Sequence, residues 1–321
     1  MKNILLIGLG GTVSCTLGSK GLVPTKSPEY FLKEIPSLNK MANIKTVQLL
    51  KRTIVYPSDW IMISEYILKE MDAYDGIIIT LGTDSLAYFS SILPFLLGNI
   101  KKPVILTGAM VPLCYPKSDA RKNIIDSVFF ATKNRPGVFT IFNGKVILGT
   151  RTSKIKSTST DAFESINAPP FAIIKKNIIK YSKNIPPKKI TPEIGSELDT
   201  NVVSVILNPQ TTPEYLKSLA SYDGIILMSY GDGNISDNLI PVILKLIKMK
   251  KVVVIASQCT HGETEHKYSG GKTVVEAGAI SSKDMTKETC LAKLMWCLGK
   301  TKNISEVKKI MHTSYYGELS E

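Results

Sequence analysis

The sequence predicts an α/β fold with two domains: an N-terminal, doubly wound, mainly parallel sheet domain and a smaller C-terminal α/β domain. Short β-rich apolar runs alternate with segments of helical period, which is typical of parallel sheets flanked by helices. The length of 321 residues suits about two domains with buried cores. A composition of 44% hydrophobic and 21% charged residues excludes disordered and fibrous proteins.

Seven apolar runs are predicted to form buried strands, because each is followed by glycine or polar turn residues. They are Asn3–Gly8, Gly76–Thr80, Pro103–Thr107, Gly137–Phe142, Val202–Leu207, Gly224–Met228 and Val252–Ala256. A helix is predicted over Ser58–Asp72, where apolar side chains form one face and Asp59 near the start suits the helix dipole.

A change in composition predicts the domain boundary. Between about Lys175 and Asn201 the chain is rich in lysine, proline and isoleucine and has neither a helical nor a strand period. We therefore predict a catalytic α/β domain over 1–185, a linker over 186–201 and a C-terminal α/β domain over 202–321.

The charge narrows the range of partners. Forty Lys and Arg residues against 27 Asp and Glu residues give a formal net charge of +13. The lysines are dispersed and form no aromatic-interleaved basic stripe, so neither nucleic acid nor a membrane is predicted as a partner. A small acidic substrate is compatible with this charge.

The numbers of cysteines and histidines limit the kinds of active site and metal site that the chain can contain. Five scattered cysteines without a C-x-x-C pair, and only three histidines, favour neither a disulfide framework nor a metal centre. We expect no metal, no cofactor and a cytoplasmic location, since no apolar stretch reaches the roughly 18 residues of a membrane span. Cys259, Cys290 and Cys297 are expected to pack in the core.

Two glycine–threonine turns follow predicted strands. Gly10-Gly11-Thr12 follows the first strand, and Gly82-Thr83-Asp84 follows Gly76–Thr80. Because ligands bind at the carboxyl ends of parallel strands, both hydroxyls are expected to face one cleft. The alternatives are simple tight turns with capping threonines, or a dinucleotide fingerprint, which Val13 disfavours because it stands where a third glycine belongs.

A polar, basic segment over 151–161 follows the strand Gly137–Phe142. It is either a solvated loop or a loop that brings a lysine to the cleft. In the second case the positive charge lowers the cost of deprotonating a nearby hydroxyl.

Together these motifs resemble the type I, cytoplasmic L-asparaginases, especially archaeal-type ones, over nearly the whole chain. The resemblance rests on GGTV (10–13), TLGTDSLAYFSSIL (80–93), ILTGAMVP (105–112), SDA with Asn123 (118–123), GTRTSKIKSTSTDAFESIN (149–167) and DMTKETCLAKLMW (284–296). The same motifs occur in the asparaginase-like subunit of archaeal glutamyl-tRNA amidotransferase. That protein has an extra N-terminal domain, whereas GGT begins here at residue 10, which favours the asparaginase.

The resemblance implies hydrolysis of L-asparagine to L-aspartate and ammonia through an acyl-enzyme. It implies Thr12 as the nucleophile, supported by Thr83, Asp84 and Lys156, in a homodimer or homotetramer without a cofactor. Substrate contacts would come from Gly11, Gly82, Arg52 and Thr53. The alternatives are a glutaminase-type subunit of a tRNA amidotransferase and a degenerate member that acts on another amide or senses amino acids.

Two positions depart from the family pattern. Leu22 stands where the family usually has a tyrosine that helps to activate the nucleophile. Lys51-Arg52-Thr53 stands where the family usually has Asp-Ser-Ser, which grips the substrate's α-amino and α-carboxylate groups. Arg52 would then bind the α-carboxylate through charge-assisted hydrogen bonds, block the pocket or shift the preference to another acidic amide. Lys51 conflicts with the substrate ammonium.

Overall fold

A computed structural model of the protein describes residues 1–184 and 197–320. These residues form two compact units, 1–184 and 197–320, and each unit has its own hydrophobic core. The predicted fold class is confirmed. Most of the predicted linker, 186–201, lies outside the described residues, so the domain bounds stay a prediction.

The first unit contains a large sheet, two short hairpins outside it and four α-helices among its described residues. Its elements are β1 (Asn3–Gly10), β2 (Cys15–Gly18), β3 (Gly21–Pro24), α1 (Pro28–Glu34), β4 (Asn43–Arg52), α2 (Pro57–Glu70), β5 (Gly76–Thr80), α3 (Thr83–Leu97), β6 (Pro103–Thr107), α4 (Ala120–Ala131), β7 (Gly137–Phe142), β8 (Lys145–Leu148), β9 (Thr152–Lys154), β10 (Phe163–Ser165), β11 (Ala172–Lys175) and β12 (Ile178–Tyr181).

The large sheet has eight strands in the order β12-β11-β8-β7-β6-β5-β1-β4. Strands β4, β1, β5, β6 and β7 run parallel to one another, and β8, β11 and β12 extend the sheet in antiparallel fashion. β5 and β6 are buried at every residue, which explains their continuous apolar sequence. Hairpins β2–β3 and β9–β10 stand outside this sheet.

The second unit has a four-stranded parallel sheet in the order β13-β14-β15-β16. Its elements are β13 (Val202–Ile206), α5 (Pro213–Ser218), β14 (Gly224–Ser229), α6 (Ile240–Lys248), β15 (Val252–Ser257), α7 (Ser269–Glu276), β16 (Ile280–Ser281), α8 (Lys287–Lys300) and α9 (Ile304–Met311). None of the helices in either described range combines the length and hydropathy of a membrane span.

The cysteines of the second unit divide into two groups. Cys290 and Cys297 are buried on α8, as predicted, and desolvation raises the pKa of each thiol to about 12. The prediction for Cys259 is wrong, because this residue is exposed in the irregular segment after β15.

Candidate active site

Three strands end side by side at the carboxyl edge of the large sheet. β1 lies between β4 and β5 and pairs in parallel with both. The segments that leave these strands, 10–12, 51–53 and 81–84, are therefore neighbours. Both glycine–threonine turns lie at this edge, where parallel α/β sheets place their ligands.

The two turns approach each other more closely than any side chain would allow. Gly11 has φ +75°, and a Cβ atom on it would lie 2.3 Å from the Gly82 nitrogen. A Cβ atom on Gly82 would lie 1.8 Å from the Thr53 carbonyl oxygen. The glycines are thus required by close backbone contact. Thr12 and Thr83 each follow one of these two glycines directly.

A lysine joins the second turn. Lys154, the last residue of β9, donates from Nζ to Thr83 Oγ1 at 2.8 Å and to Asp84 Oδ1 at 2.6 Å. Thr83 is buried and the Lys154 side chain is 18% exposed, whereas Asp84 is 75% exposed. Because water is partly excluded from the lysine, its charge acts more strongly on the Thr83 hydroxyl than it would in solvent.

The structure contradicts the predicted position of Lys156. Its Nζ donates to Asp161 Oδ2 at 3.1 Å, away from the Thr83–Asp84 group. The physical reason is the end of β9 at Lys154: beyond it the backbone turns, and the amides of Ile155 and Lys156 both donate to the carbonyl of Ala162. The lysine of this segment that contacts Thr83 is Lys154.

Asp161 stabilises the loop that follows Lys154. Its carboxylate accepts hydrogen bonds from Lys145, Asn143 and Lys156, and these bonds hold the pKa of Asp161 well below its usual range. The loop lies between β9 and β10, whose pairing places Lys154 opposite Phe163. Asp161 therefore restrains the hairpin that carries Lys154.

This depressed pKa predicts an acid-dependent stability. A carboxylate with a lowered pKa in the folded state stabilises the fold above its unfolded pKa, and this stabilisation is lost as the pH falls toward the folded value. We expect the gap in urea midpoint between wild type and Asp161→Asn to be constant above pH 5 and to shrink below about pH 4. The matched control is Asp72→Asn, since the Asp72 carboxylate makes no ion pair within the described residues. A gap at pH 3 as large as at pH 7 would contradict the expectation.

Thr12 begins a single 3₁₀ turn, Thr12–Ser14, directly after β1. The turn is closed by Ser14, whose backbone N–H and hydroxyl both donate to the Gly11 carbonyl. Thr12 is half-buried, and its hydroxyl makes no hydrogen bond to any residue that the structure describes. The hydroxyl is thus available to a substrate at the edge of the sheet.

The segment 51–53 lies against both turns. The Arg52 carbonyl accepts from Gly11 N–H at 2.8 Å, and the Thr53 carbonyl faces Gly82. The Arg52 side chain reaches α2, where Nη1 lies 2.9 Å from both carboxylate oxygens of Asp59. The structure thus brings three of the predicted substrate-binding positions together with Gly11. Lys51 is exposed and forms no ion pair in the described part of the chain.

Asn123 belongs to one of the motifs that carry the resemblance, but the sequence assigns it no role. It is fully buried on α4, its Nδ2 donates to the Gly108 carbonyl at 3.0 Å, and its Oδ1 accepts from Asn143 N–H. It therefore fixes the segments that follow β6 and β7. A fully buried polar residue that bonds to distant segments gives no local periodic signal, so only the SDA-with-Asn123 motif points to it.

Leu22 lies in the β2–β3 hairpin that follows the Thr12 turn. It pairs with Leu17 across the hairpin, and both side chains are exposed, at 44% and 73%. Neither leucine side chain can donate or accept a hydrogen bond. Within 1–184 and 197–320, moreover, no group of three His, Cys, Asp or Glu side chains is arranged to hold a metal ion.

Comparisons with known proteins match both units to described families. Residues 3–187 match the family model of the asparaginase N-terminal domain, and residues 201–311 match that of the glutaminase/asparaginase C-terminal domain. Together with the fold and the hydroxyl–lysine–carboxylate group, these matches define an enzyme of the amidohydrolase class. The chain belongs to the asparaginase family.

Relatives and solved structures agree with this assignment. The chain is 38% identical to an L-asparaginase of Thermococcus kodakarensis, with 99% of each chain covered. The structure of the thermostable L-asparaginase from that organism superposes with a TM-score of 0.91 at 37% identity and 99% coverage of both chains. L-asparaginase I from Vibrio cholerae gives a TM-score of 0.88 at 28% identity, with 100% of this chain and 99% of that one covered.

A more distant group of relatives is also similar. A glutamyl-tRNA(Gln) amidotransferase subunit of Pyrococcus abyssi is 31% identical over 100% of this chain and 77% of its own length. The asparaginase of Thermococcus kodakarensis matches at higher identity and over a larger share of its length, and this comparison favours the asparaginase activity.

Proposed function

We propose that this chain hydrolyses L-asparagine to L-aspartate and ammonia at the carboxyl edge of the large sheet. Thr12 acts as the nucleophile, and Thr83, Asp84 and Lys154 form the supporting group. Gly11, Gly82, Arg52 and Thr53 surround the substrate. The observation that carries the proposal is the pair of hydrogen bonds from Lys154 Nζ to Thr83 and Asp84 at 2.8 and 2.6 Å.

The chemistry follows from these residue types. Thr12 Oγ1 attacks the side-chain amide carbon, and the C–N bond breaks to leave an acyl-enzyme. The proton lost by Thr12 is needed on the departing nitrogen, which leaves as ammonia. Thr83 supports this transfer, because its oxygen accepts from Lys154 and its own proton is then directed toward the substrate. Water hydrolyses the ester and restores the Thr12 hydroxyl.

The backbone of the glycine–threonine turns completes the site. N–H groups at such turns stabilise the oxyanion that forms when the amide carbon is attacked. The close packing of Gly11 on Gly82 supports this role, since it keeps both turns at one edge of the sheet. We further propose that the protein acts in the cytoplasm, where its five unpaired cysteines would stay reduced. We also propose that it forms a homodimer or homotetramer.

Replacing Thr12 tests the assignment of the nucleophile. We expect Thr12→Ala to reduce kcat for ammonia release from L-asparagine by about 1,000-fold or more, because the covalent route is lost. Thr12→Ser keeps a hydroxyl and is the matched control, with most of the activity retained. Circular dichroism and thermal unfolding should be unchanged for both variants, since the Thr12 hydroxyl makes no hydrogen bond within the described chain.

The same experiment separates the alternatives. Near wild-type ammonia release by Thr12→Ala would overturn the role of Thr12. A folded wild type that releases no ammonia, yet gains thermal stability with asparagine or aspartate, would show an amino-acid sensor. Copurification with a partner protein and tRNA would show an amidotransferase subunit.

A further inference from the structure

We infer that Cys15 and Cys114 form a redox-sensitive pair, and that a disulfide between them displaces the turn that carries Thr12. The two cysteines are 99 residues apart in the sequence, yet their segments are in contact beside the candidate active site. Both are free thiols in this structure. The effect on turnover rests on the proposed function, whereas the disulfide itself can be detected without it.

The segments that carry the two thiols run side by side. Cys114 Sγ donates to the Cys15 carbonyl at 3.4 Å. One residue earlier, Leu113 N–H donates to the Val13 carbonyl at 3.3 Å. Backbones joined by hydrogen bonds lie about 5 Å apart, and a disulfide needs two Cα atoms about 4.4–6.8 Å apart. The separation of the two segments therefore suits a disulfide.

Cys15 is bound to the turn of the proposed nucleophile through both its backbone and its side chain. Its N–H donates to the Thr12 carbonyl at the end of the 3₁₀ turn. Its Sγ donates to the Gly11 carbonyl at 3.3 Å. A disulfide sulfur carries no proton, so oxidation removes this second hydrogen bond. Oxidation thus releases the Cys15 side chain from Gly11 and ties it to Cys114.

Cys114 lies in the loop 108–119 between β6 and α4, which also reaches the second glycine–threonine turn. A Cβ atom on Gly108, at the start of the loop, would lie 3.5 Å from Thr83 Cγ2. Near the other end of the loop, the Asp119 carboxylate accepts hydrogen bonds from two backbone amides of the loop. A disulfide therefore ties the Thr12 turn to a loop that is already held in place.

Cys114 is the thiol that a small oxidant reaches first. It is exposed and lines an open cavity of about 360 Å³, whereas Cys15 is only 2% exposed. Burial, and to a lesser degree the nearby Cys114, raises the pKa of the Cys15 thiol, so little of it is thiolate at neutral pH. The charged residues that line the cavity leave one net positive charge, which favours an anionic oxidant; they are Glu34, Lys117 and Arg121.

The oxidant for this pair is a low-molecular-weight disulfide. The Cys114 thiolate attacks one of its sulfurs, forms a mixed disulfide and releases one molecule of thiol. The Cys15 thiolate then attacks Cys114 Sγ, and the second molecule of thiol leaves. Both cysteines are oxidised, both halves of the small disulfide are reduced, and the two cysteine protons end on the released thiols. Excess thiol reverses both steps, so the pair stays reduced in a reducing compartment.

Oxidised glutathione is the probe that tests the pair. The folded, reduced protein is incubated with it, the excess is removed, and the peptides are mapped by mass spectrometry without reduction. We expect the peptide that contains Cys15 to be linked to the one that contains Cys114. The kcat of the linked protein for ammonia release from L-asparagine should fall at least about tenfold, because a small misplacement of a reacting group is costly. Dithiothreitol should restore it.

Three variants separate the disulfide from other effects of the oxidant. Cys114→Ser should form no link and should keep its activity through the treatment. Cys15→Ser should take up glutathione at Cys114 without closing the link, and it should keep the activity it had before treatment, because an adduct on an exposed side chain does not move the turn. Cys259→Ser is the matched control, since it removes the other exposed thiol and should respond as the wild type does.

The outcomes are distinct. Absence of the linked peptide from the treated wild type overturns the inference, and so does a linked protein that hydrolyses asparagine as fast as the reduced one. An equal loss of activity in treated Cys15→Ser also overturns it, because the glutathione adduct alone would then block the site. If the reduced wild type releases no ammonia, the proposed function fails and the effect on turnover fails with it, whereas the linked peptide still decides whether the pair forms.

Discussion

Lys154→Met is expected to reduce kcat for ammonia release from L-asparagine by about 100- to 10,000-fold, the usual range for a group that assists proton transfer. The physical reason is the loss of the ammonium that donates to both Thr83 and Asp84. Methionine keeps the length and apolar stem of lysine, so the packing of β9 against β10 is maintained. Steady-state ammonia release gives the measurement.

Lys156→Met is the matched control. Lys156 lies in the same segment and is also ion-paired, but its partner is Asp161 and its side chain is 44% exposed. We expect kcat within about threefold of the wild type, because exposed ion pairs contribute little. Equal activity losses in the two variants would contradict the assignment of Lys154. A loss of activity in Lys156→Met alone would show that Lys156 is the lysine of the active site, as the sequence predicts.

The sequence alone does not distinguish Lys154 from Lys156. Residues two apart on a strand point to the same face, so Lys154 and Lys156 are equivalent in the string TSKIKS. The structure separates them because β9 ends at Lys154 and the chain turns beyond it. Asp161, five residues after Lys156, was the available signal, since a nearby carboxylate is a natural ion-pair partner.

The parallel core of the fold was predictable, and its edges were not. The seven strands predicted from continuous apolar runs are all present, and six of them are buried along most of their length, as parallel strands inside a sheet are. The seventh, β13, lies at the edge of its sheet and is largely half-buried or exposed. β4 was missed, because all its residues are exposed or half-buried at the sheet edge and its sequence is not a continuous apolar run. β11 and β12 were also missed; they form an antiparallel hairpin with exposed lysines and have no continuous apolar pattern.

In the candidate site, the glycine–threonine turns were predictable and the contacts between side chains of different elements were not. The two glycine–threonine turns can be recognised in the sequence, because each places a glycine that allows close backbone contact next to a hydroxyl residue at the end of a predicted strand. Contacts between consecutive elements, such as Arg52 with Asp59, are set by the path of the chain between β4 and α2. No spacing rule predicts them, because the residues from 53 to 56 are neither strand nor helix.

A buried ion pair in the second unit is the feature least visible in the sequence. Lys293 on α8 and Glu318 near the C-terminus are both 0% exposed, and Nζ lies 2.7 Å from Oε1. Lys293 also donates to the carbonyls of Met311 and Thr313, and Glu318 accepts from the amides of Tyr315 and Tyr316. The pair therefore anchors the segment after α9 to α8.

Breaking this pair is expected to have the largest effect on stability. Glu318→Ala should lower the free energy of unfolding by about 3–5 kcal/mol, because the Lys293 charge is left buried without its partner. The double variant Lys293→Met/Glu318→Ala should recover part of this loss, since it removes the unpaired charge. Urea unfolding followed by tryptophan fluorescence provides the measurement, to which Trp296 in α8 and Trp60 in α2 both contribute.

An exposed pair on the same unit provides the control for this prediction. Lys272 and Glu276 lie 3.9 Å apart on α7, and each side chain is 67% exposed. Lys272→Met should change the free energy of unfolding by less than about 0.5 kcal/mol, because solvent screens both charges in either state. A loss below about 1 kcal/mol in Glu318→Ala, or a double variant less stable than either single one, would contradict a role for the pair in anchoring the C-terminal segment. Either result would mean that the backbone amides and carbonyls around the pair, rather than the opposed charges, hold that segment on α8.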